Sequence, residues 1–98
     1  MSELFLTREQ RFNIVQKTAP SILDTYGYQI SNIDREHSVI VFFRETPVKF
    51  ETDKERDDYV TKISSQLYQA YCKEVGGKDA TLILSVEVDG PKLEIKVL

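Results

Sequence analysis

Residues 81–98 read TLILSVEVDGPKLEIKVL, and this stretch decides the fold. Leu82, Leu84, Val86 and Val88 alternate along its first half, and Leu93, Ile95 and Val97 along its second, beyond Asp89, Gly90 and Pro91. Period-two apolar alternation on both sides of such a break predicts a β-hairpin with one buried face. Parity sets the register. The odd-numbered Leu93, Ile95 and Val97 share a face with the even-numbered Leu84, Val86 and Val88 only if the loop has an even number of residues. A slip of one residue would turn a whole apolar set outward. A Gly90-Pro91 turn gives Gly90 the positive φ of a type II′ turn and asks no amide of Pro91, but it places Glu87 opposite Glu94. An Asp89-Gly90 turn pairs Glu87 with Lys92 but needs the amide that Pro91 lacks. A cross-strand charge pair is worth about 0.2–1 kcal/mol, and an unmade turn hydrogen bond costs as much or more. The Gly90-Pro91 turn is therefore expected.

Working back towards the N-terminus, Thr7 followed by Gln10 has the spacing of a capping box. Phe12, Val15, Ala19, Ile22, Leu23 and Tyr26 then recur at helical steps. Pro20 lies inside this run, so a kink or a second short helix is expected near it, with Gly27 as the stop. Tyr28 to Ile33 alternates as a strand, Asp34 to His37 forms a turn, and Val39-Ile40-Val41-Phe42-Phe43 is the strongest strand signal in the chain. A connector from Arg44 to Glu51 follows, with Val48 to Phe50 expected to pair briefly at a sheet edge. Thr52 and Glu55 repeat the capping-box spacing. A stripe of Tyr59, Val60, Ile63, Leu67, Ala70, Tyr71 and Val75 then predicts a long helix ended by Gly76-Gly77.

The resulting class is α+β: a two-layer α/β sandwich of element order αββαββ, with a mostly antiparallel four-stranded sheet and two helices on one face. All 98 residues fall in one domain. Moving the first strand of a ferredoxin-like β-α-β-β-α-β sandwich to the C-terminus gives this order, because its first and last strands are antiparallel neighbours. Two αββ halves packed side by side use the same elements.

Composition excludes more than it assigns. Hydrophobic content of 41% with 30% charged residues is ordinary for a water-exposed globular chain. The net charge of −3 is spread rather than blocked, unlike the clustered basic footprint of a nucleic-acid binder. The aromatics lack the basic, glycine-flanked pattern of RNA-binding sheets. No apolar run has the length of a membrane span, and Leu4-Phe5-Leu6 lacks the basic flank of a signal peptide. With Cys72 as the one cysteine, no internal disulfide forms, and a cytoplasmic location is expected.

Candidate chemistry is sparse. His37 falls in a turn, where it is expected to be solvated. Cys72 follows the stripe residue Tyr71 and has no base placed near it, so a buried or half-buried structural thiol is expected. Glu51, Asp53, Glu55, Asp57 and Asp58 crowd the start of the second helix, where the helix dipole favours carboxylates without a ligand. Gly76-Gly77-Lys78 follows a helix, whereas a phosphate-binding loop precedes one. No catalytic, cofactor or metal residues emerge, and no enzymatic activity is expected.

The remaining signal is a surface. A two-residue Arg35-Glu36 loop would put Tyr28, Ile30, Val41 and Phe43 on the helix-covered face. Ile33, Ile40 and Phe42 would then lie on the open side of the sheet, with Ile83 and Leu98 at its margin. An apolar patch there marks an interface, so the expected function is a protein-interaction or regulatory module that self-associates as a homodimer through its sheet. Nucleic acid and membrane are not expected partners. Two alternatives stand beside it. One is a small-molecule sensor or minor enzyme with a pocket between helices and sheet, lined by Tyr26, Tyr59 and Tyr71. The other is an acidic inhibitor or immunity-type protein acting through the start of the second helix.

Overall fold

A computed structural model describes residues 6–76 and 82–98. The elements follow the order α1 (Arg8–Asp24), β1 (Tyr28–Asp34), β2 (Val39–Arg44), α2 (Asp53–Glu74), β3 (Leu84–Asp89) and β4 (Lys92–Val97). The strands form one antiparallel sheet in the order β1-β2-β4-β3. This is the strand order of the permuted ferredoxin-like sandwich. It is equally two αββ halves joined along β2 and β4, so the two arrangements consistent with the element order coincide. α1 lies against β1 and β4, α2 against β3, and the helices pack on each other.

The C-terminal hairpin has the expected register. Asp89 pairs with Lys92, Gly90 and Pro91 form the turn with Gly90 at φ 58°, and Glu87 faces Glu94. Thr81 lies outside the described residues. Both halves of the first capping box are made: the Thr7 hydroxyl accepts from the Gln10 amide at 3.1 Å, and Gln10 Oε1 accepts from the Thr7 amide at 2.9 Å. Pro20 starts no second helix; α1 runs through it, giving up only the single amide that proline lacks. At α2 the box is only half made. Thr52 caps the Glu55 amide, but the Glu55 carboxylate reaches past Thr52 to the Glu51 amide at 2.7 Å. Gly76 takes a left-handed φ of 73° after α2, as a helix stop requires, while Gly77 and Lys78 lie outside the described residues.

The core joins Phe12, Val15, Ala19 and Leu23 of α1 to Ile63, Leu67 and Tyr71 of α2. Beneath them lie Tyr28, Ile40, Phe42, Val86, Leu93, Ile95 and Val97 of the sheet. The facing of β2 is therefore the reverse of the sequence expectation. Ile40 and Phe42 are fully buried under the helices, and Ile33, opposite Ile40, packs against the same core. The cause is local. The turn has four residues, so Asp34 pairs with Val39 and not His37: Asp34 Oδ1 accepts the His37 amide at 3.2 Å, and Ser38 adopts φ 58°. That two-residue change keeps Ile33 on the face of Ile40, and it is the one-residue bulge at Ser31 that exchanges the faces by bringing Tyr28 and Ile30 to the side of Phe42. The connector forms no strand either. Val48 packs on the core, and the Phe50 ring lies 5.2 Å from that of Tyr59.

Candidate functional site: the open face of the sheet

The helices cover one face of the sheet, and its registers fix what the other face presents. Val39 pairs with Lys96, Val41 with Glu94 and Phe43 with Lys92 across β2 and β4. On β3 the outward residues are Ser85, Glu87 and Asp89; on β1 they are Gln29, Asn32 and Asp34. Beyond the last paired residues, the Leu98 amide donates to the Ile83 carbonyl at 3.0 Å, which continues the hairpin register by one step.

Residues two steps apart on adjacent strands are diagonal neighbours at about 7–8 Å. Phe43, Val41 and Val39 run down β2. Leu98 is diagonal to Val39, and Ile83 lies opposite Leu98. These five residues form one apolar stripe crossing the open face from the Gly90-Pro91 end of the sheet to its far corner. Phe43 is 48% exposed, Ile83 56% and Leu98 49%. Lys92, Glu94, Lys96 and Glu87 border the stripe on one side, and Gln29, Asn32 and Asp34 on the other. At its lower end, the His37 ring contacts Asp34 Oδ2 at 2.8 Å, and this bond, with the His37 amide, holds the Asp34 carboxyl below its ordinary range.

Of the residues expected at the surface, Ile83 and Leu98 are there, while Ile33, Ile40 and Phe42 belong to the core side. The sequence reading missed Val39, Val41 and Phe43. The alternating Lys92, Glu94 and Lys96 of β4 carry a usable signal, because whichever β2 residues pair with them must face solvent.

The other expected sites resolve individually. Tyr71 is fully buried, the Tyr26 and Tyr59 rings meet edge to face at 5.7 Å, and the Tyr59 hydroxyl reaches that of Tyr28 at 3.4 Å. Tyr26, Tyr59 and Tyr28 pack against one another, while Tyr71 is buried in the core. Burial, followed by the Tyr59 contact, pushes the Tyr28 hydroxyl well above the usual tyrosine range. His37 is exposed in its turn, as expected. Cys72 is exposed rather than buried, because it falls one step off the buried Tyr71 on the outer side of α2. The carboxylates at the start of α2 are exposed, with Asp58 meeting Lys54 at 3.1 Å and Asp53 meeting Arg56 at 3.6 Å. Among the described residues, no group of three or more His, Cys, Asp or Glu could hold a metal ion, and no helix is long and apolar enough to cross a membrane. The chain matches no family model, no curated protein and no solved structure.

Proposed function

We propose that this chain is a small interaction module that self-associates through the open face of its sheet. The supporting observation is the stripe Phe43–Val41–Val39–Leu98–Ile83, continuous and bordered by charges of both signs. Apolar side chains at the centre of a patch with polar residues at its rim are what a protein contact requires. Mixed charge at the rim lets a second copy, rotated by a two-fold axis, bring lysines to carboxylates.

Size sets the expected strength. Four strands about 4.8 Å apart, six or seven residues long at about 3.3 Å, give a face of roughly 20 by 20 Å. That flat area of about 400 Å² falls below the roughly 800 Å² per partner of a standard stable interface. The dimer is therefore weak, with dissociation in the micromolar range or above.

Sedimentation equilibrium across micromolar to millimolar concentrations tests this. A concentration-dependent dimer is expected, with Phe43→Asp raising the dissociation constant at least tenfold and leaving the far-ultraviolet circular dichroism unchanged. A monomer throughout that range, or a dimer indifferent to Phe43→Asp, overturns the proposal.

A further inference from the structure

The sheet has a second distinctive surface, the outer edge of β3. This strand pairs with β4 alone, and among the described residues nothing pairs with its other side. The bond from the Leu98 amide to the Ile83 carbonyl identifies Ile83–Leu98 as a hydrogen-bonded pair. Alternation along an antiparallel ladder makes Ser85–Lys96, Glu87–Glu94 and Asp89–Lys92 hydrogen-bonded pairs as well. The amides and carbonyls of Leu84, Val86 and Val88 therefore point outward from the sheet.

The two edges are not equivalent. β1 is interrupted by its bulge at Ser31, a device that blunts an edge. β3 keeps an unbroken register over all six residues and contains neither Pro nor Lys. Beside it runs a groove of about 770 Å³, walled by Arg56, Asp57 and Val60 of α2 and floored by Val86 and Val88. Outward backbone groups beside a groove with an apolar floor and a charged rim meet the two requirements of strand addition. The backbone provides affinity, and the groove reads alternate side chains.

Charge selects the occupant. Glu87 and Asp89 face the open side, Glu87 opposite Glu94 and Asp89 opposite Lys92, while Asp57 stands on the groove wall and Arg56 beside it is already directed at Asp53 at 3.6 Å. A second copy of β3 would bring the same carboxylates. In the register of fullest overlap, centred on Val86, the two Glu87 side chains would lie diagonally across the seam. A basic strand meets opposite charge instead.

We propose that the edge of β3 takes an extended segment of another protein as a fifth strand. That segment alternates Lys or Arg, facing Glu87 and Asp89, with small apolar residues seated over Val86 and Val88. The proposal is independent of self-association through the open face.

The probe is a seven-residue peptide alternating lysine and valine, with an alternating glutamate-valine peptide as control. The readout is amide hydrogen exchange of the ¹⁵N-labelled protein by NMR. With the basic peptide in excess at low salt, exchange at Leu84, Val86 and Val88 is expected to slow at least tenfold, while the acidic peptide leaves it unchanged. Glu87→Lys should weaken binding at least tenfold with amide shifts outside β3 preserved. Val88→Pro removes an outward amide, together with the Val88 side chain that packs on the core, and should do the same; if that variant does not fold, Glu87→Lys still decides. The proposal is overturned if the three amides gain no protection, if both peptides protect equally, if protection appears on β1, or if Glu87→Lys binds as tightly as the parent chain.

Discussion

Phe42 and Phe43 are adjacent, chemically identical and on opposite faces of β2, so truncating each to Ala tests the facing of the whole sheet. Phe42 is fully buried on an inner strand of the sheet under the helices. Removing its ring there loses the transfer free energy and leaves a cavity, at about 3–5 kcal/mol. A domain of this length has a total stability of about 5–15 kcal/mol. Phe42→Ala therefore removes between about a fifth and all of it and lowers the melting temperature by roughly 12–40 °C, at about 4–8 °C per kcal/mol. Phe43 is 48% exposed and encloses no space that water cannot refill. Half of the roughly 2–3 kcal/mol for full burial of such a side chain leaves a cost of about 1 kcal/mol. Urea titrations followed by circular dichroism give both values, and equal m-values would show that the same surface is exposed in each variant. If Phe43→Ala costs as much as Phe42→Ala, then Val41 and Phe43 lie under the helices, and the open-face stripe does not exist.

Two further outcomes follow from single residues. Because burial raises the Tyr28 hydroxyl above its ordinary range, the folded chain keeps a proton that the unfolded chain releases near pH 10. Stability should fall as pH rises from there, by up to about 1.4 kcal/mol per pH unit, and Tyr28→Phe should flatten that fall in urea titrations; an identical slope in the variant would contradict the assignment. At Gly90, with φ 58°, a Cβ meets no neighbour within 4 Å, so Gly90→Ala should cost about 1 kcal/mol by backbone strain alone in the same assay, and a neutral result would contradict the turn assignment.

The hairpin was legible because its two strands each have one apolar side, and because Pro91 cannot donate to a turn. Those two constraints leave one register. The helices were legible for similar reasons: Thr7 and Thr52 carry capping oxygens, and the buried residues recur at helical steps. β2 was not legible, since Val39, Ile40, Val41, Phe42 and Phe43 are apolar on both sides and their own pattern cannot say which side is covered. That choice is made elsewhere, by the bulge at Ser31, which sets Tyr28 and Ile30 on the side of Ile40 and Phe42. The bulge carries no glycine to announce it. Missing that one extra residue exchanges the core for the surface, which is why Ile40 and Phe42 changed places with Val41 and Phe43. The same geometry that hid the candidate stripe also creates it, because an apolar outer face on β2 costs the fold nothing that the inner face supplies.

Glu87 is where the stability of the fold and the proposed strand addition oppose each other. It faces Glu94 as a hydrogen-bonded pair, with Cα atoms about 5.5 Å apart, while Lys92 and Lys96 stand only diagonally at about 7–8 Å. The direct repulsion outweighs the diagonal attraction, so Glu87→Lys should stabilise the isolated chain by about 0.5 kcal/mol. The same substitution places a lysine against the basic residues of the proposed fifth strand. One variant should therefore show a higher urea midpoint and weaker peptide binding together, an outcome that general damage to the fold cannot produce. If Glu87→Lys lowers the midpoint, the Glu87–Glu94 pairing is not repulsive, and the hairpin has the Asp89-Gly90 turn with Glu87 beside Lys92. If the midpoint rises and binding is unchanged, the register stands and the acidic edge is not what a basic strand would recognise.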